Sequence, residues 1–379
     1  MIGYHALAGL FRGLQHFQAR VVPKPQITLS DFVPAEWHEE VTAYLASYRL
    51  QQVEDWLGSQ EQSLGKQLLS VFSHLGTDSA GVEDRYLPLQ PLDLAREVIF
   101  PQEAQTAADV QAAYHDLWDQ LLADVRALES TSDIQTYITS LESVVQRYLW
   151  CVPAFEDDIS LYEYSRVLSA LLASSAHLDE SELDGSQAVM RLLEGDISGI
   201  QRFIYTIKAK GASKGLRARS FYLQALTQVT ARLILRDAGM PSMNLLYAGG
   251  GRFFLILPPN SDDVLAQARR ELDEMLLTHH DGDLYLALGW ADIRASDLAP
   301  DRFGGKWRDV SQAVSRDKRR RFGHLSPQQM MEIVFTPRGF TEDDERSKRY
   351  LERTELDVDE DDDEITSAFS KSLHDLALV

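Results

Sequence analysis

The sequence predicts an α+β protein: a mainly helical first half followed by one β-α-β-β-α-β unit, the ferredoxin-like arrangement. Two patterns carry this reading. Before about residue 185, apolar residues recur at helical spacing in one long stretch after another. From Gln187 on, short apolar runs punctuated by glycine and proline alternate with amphipathic stretches in that fixed order. The chain divides accordingly into a helical domain (1–185), a ferredoxin-like domain with a C-terminal helical extension (186–335), and an acidic linker with a short tail helix (336–379).

The elements follow in order. MIGYHALAGLFRGLQHFQAR has no long apolar core or cleavage pattern and reads as an amphipathic helix, not a signal peptide. EWHEEVTAYLASYRLQQVEDWLGSQ, AAYHDLWDQLLADVRALE and IQTYITSLESVVQRYLW are further helices. DSAGVEDRYLPLQPLDLAREVIFPQE, with three prolines and no sustained period, is a loop between helical groups. QAVMRLLEGDI is a buried strand closing at Gly195-Asp196, and SGIQRFIYTI is a short helix. A Gly/Lys-rich loop, KAKGASKGLR, precedes the helix ARSFYLQALTQVTARLILRDAG. MNLLYAG and RFFLILP are strands joined by a glycine turn. Ser261 is placed as N-cap of DDVLAQARRELDEMLLTHH, LYLALGWADI is the last strand, and WRDVSQAVSRDKRRRFGHL is a charged helix.

Composition bounds the function. With 379 residues, 44% hydrophobic and 25% charged, the chain has the make-up of a globular protein with a sizeable core. No apolar run approaches the roughly 20 residues that span a bilayer. A single cysteine, Cys151, excludes an internal disulfide framework and a thiolate-rich zinc site, so a reduced, cytoplasmic protein is expected. The net charge of −21 argues against a surface that binds nucleic acid throughout. The bases are clustered, however, in Lys208–Arg219 and Arg316–Arg321, while acids fill TEDDE and LDVDEDDDE near the C-terminus.

A ferredoxin-like palm that performs nucleotidyl transfer needs carboxylates at the end of its first strand and in the hairpin between its second and third. These hold two divalent cations about 3.5–4 Å apart. Asp196 fills the first place, but the hairpin reads Ala248-Gly249-Gly250-Gly251-Arg252, without an acid. Such a palm cannot organise a two-metal site alone. Its glycines either admit a nucleotide close to the backbone or serve turn geometry only. Lys210, Lys214, Arg217, Arg219 and Ser220, in the basic loop and at the start of the helix after it, form the anion-binding candidate. The alternative there is a solvated basic loop, and Phe221 either stacks on a base or belongs to the core. Lys318, Arg319, Arg320 and Arg321 are candidate RNA contacts, against a solvated charged face. The dipeptides His115-Asp116, His280-Asp281 and His374-Asp375 lack further ligands at metal-site spacing and are read as incidental, and Cys151 as a buried structural residue.

EGDISGIQRFIY, KGLRARSFYLQALT and NLLYAGGGRFFLILP, in this order, resemble the first palm domain of the large subunit of type III CRISPR effector complexes, most strongly the Csm type. YLWCVPAFEDDISLYEYSRVLSALLA and ALAGLFRGLQHFQAR resemble parts of that family's N-terminal HD domain. The resemblance implies a metal-dependent single-strand DNA nuclease in the HD domain. It also implies a zinc-binding linker and a second palm, whose Gly-Gly-Asp-Asp hairpin makes cyclic oligoadenylates from ATP. Here the HD pair falls at Arg12-Gly13, Glu163-Tyr164 replace an aspartate-histidine pair, and no cysteine follows Cys151. The second palm is absent from the sequence. The resemblance therefore implies a degenerate HD domain, no zinc, and a palm that does not catalyse alone. The expected role is a scaffold subunit that docks on guide and target RNA with other effector subunits. ATP with a divalent metal would bind only with a second chain carrying the catalytic palm. An independently active nuclease or cyclase is the rival reading, and a closed palm that binds no nucleotide is the third.

Overall fold

The computed structural model describes residues 2–21, 28–58, 66–74, 84–128, 131–184, 186–205, 212–280, 282–323 and 325–331, except the side chains of 74, 184 and 212–214. Two compact units emerge. The first comprises the residues up to Met190 with Gly239–Asn244 and Ile293–Arg302; the second comprises Arg191–Ala238, Leu245–Asp292 and the residues from Phe303. The expected linker and tail helix at 336–379 lie outside the described residues.

The first unit holds the helices α1 (Ile2–Gln18), α2 (His38–Leu45), α3 (Tyr48–Trp56), α4 (Arg96–Ile99), α5 (Ala107–Arg126), α6 (Ile134–Leu149) and α7 (Leu161–Ser174). The expected amphipathic N-terminal helix is instead a core helix: α1 packs against α2, α6 and α7 and is buried along nearly its whole length. Glycines make this possible. A Cβ on Gly13 would lie 1.9 Å from Ser165 Oγ, and one on Gly9 only 2.7 Å from Ser169 Cα. The two helix backbones thus approach more closely than any side chain at those positions allows. The stretch read as helical from Glu36 to Gln60 breaks after α2, where the Ser47 hydroxyl accepts the Leu50 amide and starts α3. In the proline-rich segment, Tyr86 bridges to both Leu69 and Gln102, the short extended piece that interrupts the helices. Trp118, Tyr114, Phe17 and Phe32 fill the centre, with Phe17 and Phe32 set against the Trp118 ring. Cys151 is fully buried and its thiol is pushed up to about 12 by that burial, as expected of an inert structural cysteine.

The second unit contains β1 (Ala188–Ser198), α8 (Ile200–Tyr205), α9 (Ala212–Asp237), β2 (Leu245–Gly249), β3 (Arg252–Leu257), α10 (Asp262–His280), β4 (Tyr285–Arg294), α11 (Pro300–Lys318) and α12 (Pro327–Met330). The sheet order is β2-β3-β1-β4, with β3 antiparallel to both β1 and β2. This is the strand order that a β-α-β-β-α-β chain produces when each helical connection skips over one strand. Strand alternation sorts the side chains. Leu193, Gly195 and Ile197 share a face with Phe253, Leu255 and Leu257, and the Phe253 ring crosses β1 where a Cβ on Gly195 would meet it at 2.1 Å. Glu194 and Asp196 share the other face with Arg252 and Phe254.

One expectation is corrected here. Of the basic loop expected over Lys208–Arg219, the part from Ala212 on is helical, because α9 already begins at Ala212; residues 208–211 lie outside the described residues. Lysine, arginine, leucine and alanine are good helix formers, and their propensity outweighs the cost of Gly215 in the first turns. Lys210 lies outside the described residues, and Lys214 is placed on the helix without a described side chain. Ser261 donates its hydroxyl to the Pro258 carbonyl, while its own carbonyl receives the Leu265 amide as α10 begins.

Candidate functional site

The site predicted around Asp196 forms at the end of β1 beside the β2–β3 turn. Gly250 and Gly251 take φ of 62° and 83°, so the turn requires glycine there. A Cβ on Gly251 would also sit 2.0 Å from Ile200 Cδ1, which seats the turn on the start of α8. Gly249 pairs with Arg252 across the turn.

Asp196 is not free to take a ligand. Its Oδ2 accepts from Arg252 Nη2 at 2.9 Å and Nε at 3.2 Å, and Lys318 Nζ lies 2.8 Å away. Arg252 Nε also lies 3.2 Å from Oε1 of Glu194, whose other oxygen accepts from Ser311 Oγ at 3.1 Å. The hydrogen bond that Arg252 donates to Asp196, reinforced by the charge of both carboxylates, raises the Arg252 pKa. Ser311 and Lys318 belong to α11, which lies on this face of the sheet. Its Trp307 stacks on Phe254 at 4.6 Å between ring centroids. Its backbone comes so close to β4 that a Cβ on Gly289 would meet Val314 N at 2.3 Å.

Two carboxylates with two cations already in contact are a poor donor set for Mg²⁺, which needs near-octahedral oxygen ligands. The residues present therefore do not fit a resident metal or a metal-bound triphosphate. Among the described residues, no group of three or more His, Cys, Asp and Glu is arranged to hold a metal ion.

The remaining candidates separate. Arg217 and Ser220 are exposed on α9. Arg219 is engaged elsewhere: it donates to the Phe203 carbonyl and lies 5.2 Å over the Phe203 ring. Phe221 is 71% exposed and so belongs to no core. Lys318 and Arg321 turn inward, toward Asp196 and toward the Tyr285 and Phe322 rings respectively. Arg319 and Arg320 point to solvent.

Sequence reasoning missed Glu194 and Asp317. The period of two along β1 places Glu194 beside Asp196 and was available as a signal. Asp317, inside the basic run, has no sequence signal for its role. Its Oδ2 accepts from Arg269 Nη1 at 2.9 Å, Tyr285 Oη at 3.0 Å and the Leu288 amide at 2.9 Å.

In the first unit, Arg12 and His16 converge on Glu54. Arg12 Nε and Nη2 donate to the two Glu54 oxygens at 2.8 and 3.1 Å, and His16 Nε2 lies 3.1 Å from Oε1. Burial lowers the His16 pKa against the opposing pull of Glu54. Burial also pushes the Glu54 carboxyl up, but His16 and Arg12 hold it below its ordinary value. Gly13 faces Ser165, with no room for an aspartate. Glu163 pairs with Arg166, and the Tyr164 ring lies edge-on to His16. Among the incidental histidines, His280 shares a hydrogen bond with Tyr222 Oη at 2.6 Å, while Asp281 and residues 374–375 lie outside the described residues.

Comparison with known proteins supplies the family. Residues 189–335 match the Csm1 subunit domain B. The chain is 30% identical over 290 residues to a CRISPR system single-strand-specific deoxyribonuclease Cas10/Csm1 (subtype III-A) of Mycobacterium tuberculosis, covering 67% of this chain and 35% of that protein. It is 25% identical over 228 residues to the protein of the same description from Methanocaldococcus jannaschii, covering 48% of this chain and 28% of the relative. Among solved structures, the Csm1–Csm4 cassette in complex with cA3 shares the fold at a TM-score of 0.68 and 21% identity, over 88% of this chain and 50% of the solved one. The cassette in complex with one ATP also gives 0.68, at 21% identity over 87% and 50%. The chain thus spans about a third of the length of the curated relatives it matches. With its domain B match and these relatives, the chain belongs to the Cas10/Csm1 family of type III-A CRISPR large subunits.

Proposed function

We propose that this chain serves as a non-catalytic large-subunit component of a type III CRISPR effector complex, with a degenerate HD domain and a palm whose ligand face is closed. The observation that carries the reading is the Asp196 cluster. The residue where a palm would hold metal and nucleotide is neutralised by Arg252 and Lys318 of its own chain, beneath α11. The HD reading is supported by Arg12 bound to Glu54 and by Gly13 packed on Ser165, an arrangement that offers a metal neither histidine nor aspartate at those positions. Guide RNA, target RNA and the other effector subunits are the expected partners. Arg319 and Arg320 are the exposed cations of the predicted RNA contact. In keeping with this, solved relatives are named as Csm1–Csm4 subcomplexes.

Co-expression with the remaining effector subunits and a guide tests the role. The chain is expected to co-purify with guide RNA, and its recovery as a lone, RNA-free monomer would refute the scaffold reading. Titration calorimetry with Mg²⁺ and ATP is expected to show no binding by the isolated chain. A manganese-dependent single-strand DNase activity would overturn the degenerate-HD part.

A second reading keeps the glycine turn as half of an ATP pocket completed by another chain's palm. It is favoured by solved relatives crystallised with ATP and AMPPNP. It requires Lys318 to leave Asp196, so ATP binding that appears only when a catalytic palm is added, and strengthens in Lys318→Ala, would support it.

A further inference from the structure

Between Arg316 and Arg321 the chain places five cations in six positions, interrupted only by Asp317. The structure gives them two different fates. Lys318 is bound to Asp196 and Arg321 lies over two aromatic rings, 5.9 Å from Tyr285 and 5.2 Å from Phe322. Arg316, Arg319 and Arg320 are exposed, and no ion pair engages them among the described residues.

Arg316 sits on the last turn of α11, and Arg319 and Arg320 on the turn that follows it, which is anchored on both sides. Asp317 anchors it on one side through Arg269, Tyr285 and the Leu288 amide. On the other side Phe322, at φ 56° and only 4% exposed, is buried with Leu277, Tyr285, Ala287 and Val314. A bulky residue in the left-handed region is strained, and persists only where its surroundings over-determine it. The turn closes through Arg320 N to Asp317 O at 2.8 Å and Gly323 N to Arg320 O at 2.7 Å. One or two cations would suffice to complement the C-terminal dipole of α11. Three arginines exposed and without an ion pair among the described residues exceed that need.

The chain itself carries a matching polyanion. Residues 355–364 read ELDVDEDDDE, eight acids in ten residues without a base, in a protein of net charge −21. The connecting residues, at up to ~3.4 Å each when extended, are long enough to return to the turn. We propose that the Arg316–Arg321 turn is a docking site for this chain's own acidic segment 355–364, which occupies Arg316, Arg319 and Arg320 in competition with external polyanions. Exposed ion pairs are individually weak, so the segment as a free peptide would bind only at millimolar concentrations. Tethering supplies an effective concentration of that same millimolar order. The contact is therefore populated yet displaceable: it weakens external polyanion binding by about 3–10-fold and dissolves as salt shortens the Debye length. The docking stands independently of the RNA reading above; only its competitive consequence rests on that reading.

The test uses the full chain with Arg319→Lys and Arg320→Lys, which keep the charge and supply amines for carbodiimide coupling to carboxylates. Mass spectrometry is expected to find these lysines joined to acids of 355–364 within one chain, as mixing of isotope-labelled and unlabelled protein reveals. The yield should fall several-fold at about 0.5 M NaCl. The Lys66–Asp157 pair, at 2.9 Å, serves as the internal control. Links to acids elsewhere, links between chains, or no link while the control reacts would each overturn the docking. A second arm measures a single-stranded oligouridine. Asp357→Asn, Asp359→Asn, Asp361→Asn and Asp363→Asn together should tighten its binding by about 3–10-fold. The gain should vanish when Arg316, Arg319 and Arg320 are also changed to serine. If the oligouridine binds no variant while the cross-links form, the RNA reading fails and the docking stands.

Discussion

Asp317→Ala removes an acceptor shared by three donors, and its cost can be worked from the geometry. Tyr285 is fully buried, Leu288 sits in β4 and is 3% exposed, and the Arg269 side chain is 14% exposed. After the substitution, a phenolic hydroxyl, a strand amide and a guanidinium each lose a charged partner at 2.9–3.0 Å. An unsatisfied buried polar group costs about 1–3 kcal/mol, and more for a charged one. The Asp317 side chain is itself 23% exposed, so water re-enters and recovers part of this. The expected net loss is about 3–5 kcal/mol, several times the ±0.5 kcal/mol expected of a surface change such as Arg316→Ala. Urea unfolding gives the total. Hydrogen exchange on the peptide covering 284–294 shows whether the loss falls on β4. Asp317→Asn, which keeps one acceptor oxygen but not the charge, should fall between wild type and alanine. If Asp317→Ala lies within 0.5 kcal/mol of wild type, the shared-acceptor reasoning is wrong.

Three further outcomes are expected. Gly13→Asp should destabilise the first unit by roughly 3 kcal/mol or more, because the new side chain meets Ser165 Oγ at 1.9 Å; thermal melting reads this directly. Gly251→Ala combines a φ of 83° with a 2.0 Å approach to Ile200 and should cost about 2–3 kcal/mol in urea unfolding, whereas Gly239→Ala, at φ 65° in open space, should cost less. For pH, both His16 and Glu54 have lowered folded pKa values. The unfolded chain therefore binds more protons than the folded one, and stability falls as pH drops below the ordinary histidine value of 6.5 and again below the ordinary glutamate value of 4.5. His16→Gln should flatten the upper part of that slope, and an unchanged pH profile of the melting temperature would exclude His16 as its source.

The strand order and the long helices were legible because their signal is local. Apolar periodicity and the glycine and proline stops lie within each segment, and the β2–β3 turn announces itself as Gly249-Gly250-Gly251. The start of α9 was misjudged because lysine and glycine in one stretch suggest a loop, while helix propensity and packing carry the helix back to Ala212. The state of the candidate site was not legible at all. The sequence places Asp196 at the end of the first strand, but its partner Lys318 is far away in sequence and meets it only because α11 folds over the sheet. Asp317 fails for the same reason: a lone acid in a basic run looks like surface patterning until the strand amide it receives is in view. Burial of α1 on all sides likewise depends on neighbours contributed from beyond its own sequence.

The Asp196 cluster also constrains what this chain can become. Changing Arg252 to aspartate would set three carboxylates together with only Lys318 to offset them. Removing Arg252 or Lys318 first would leave Glu194 and Asp196, 2% and 9% exposed, short of a counter-charge. Each of these substitutions thus leads to a less stable protein. The cluster is self-locking: each of its four charges holds the others in place, and none can be removed without leaving a neighbour short of its counter-charge.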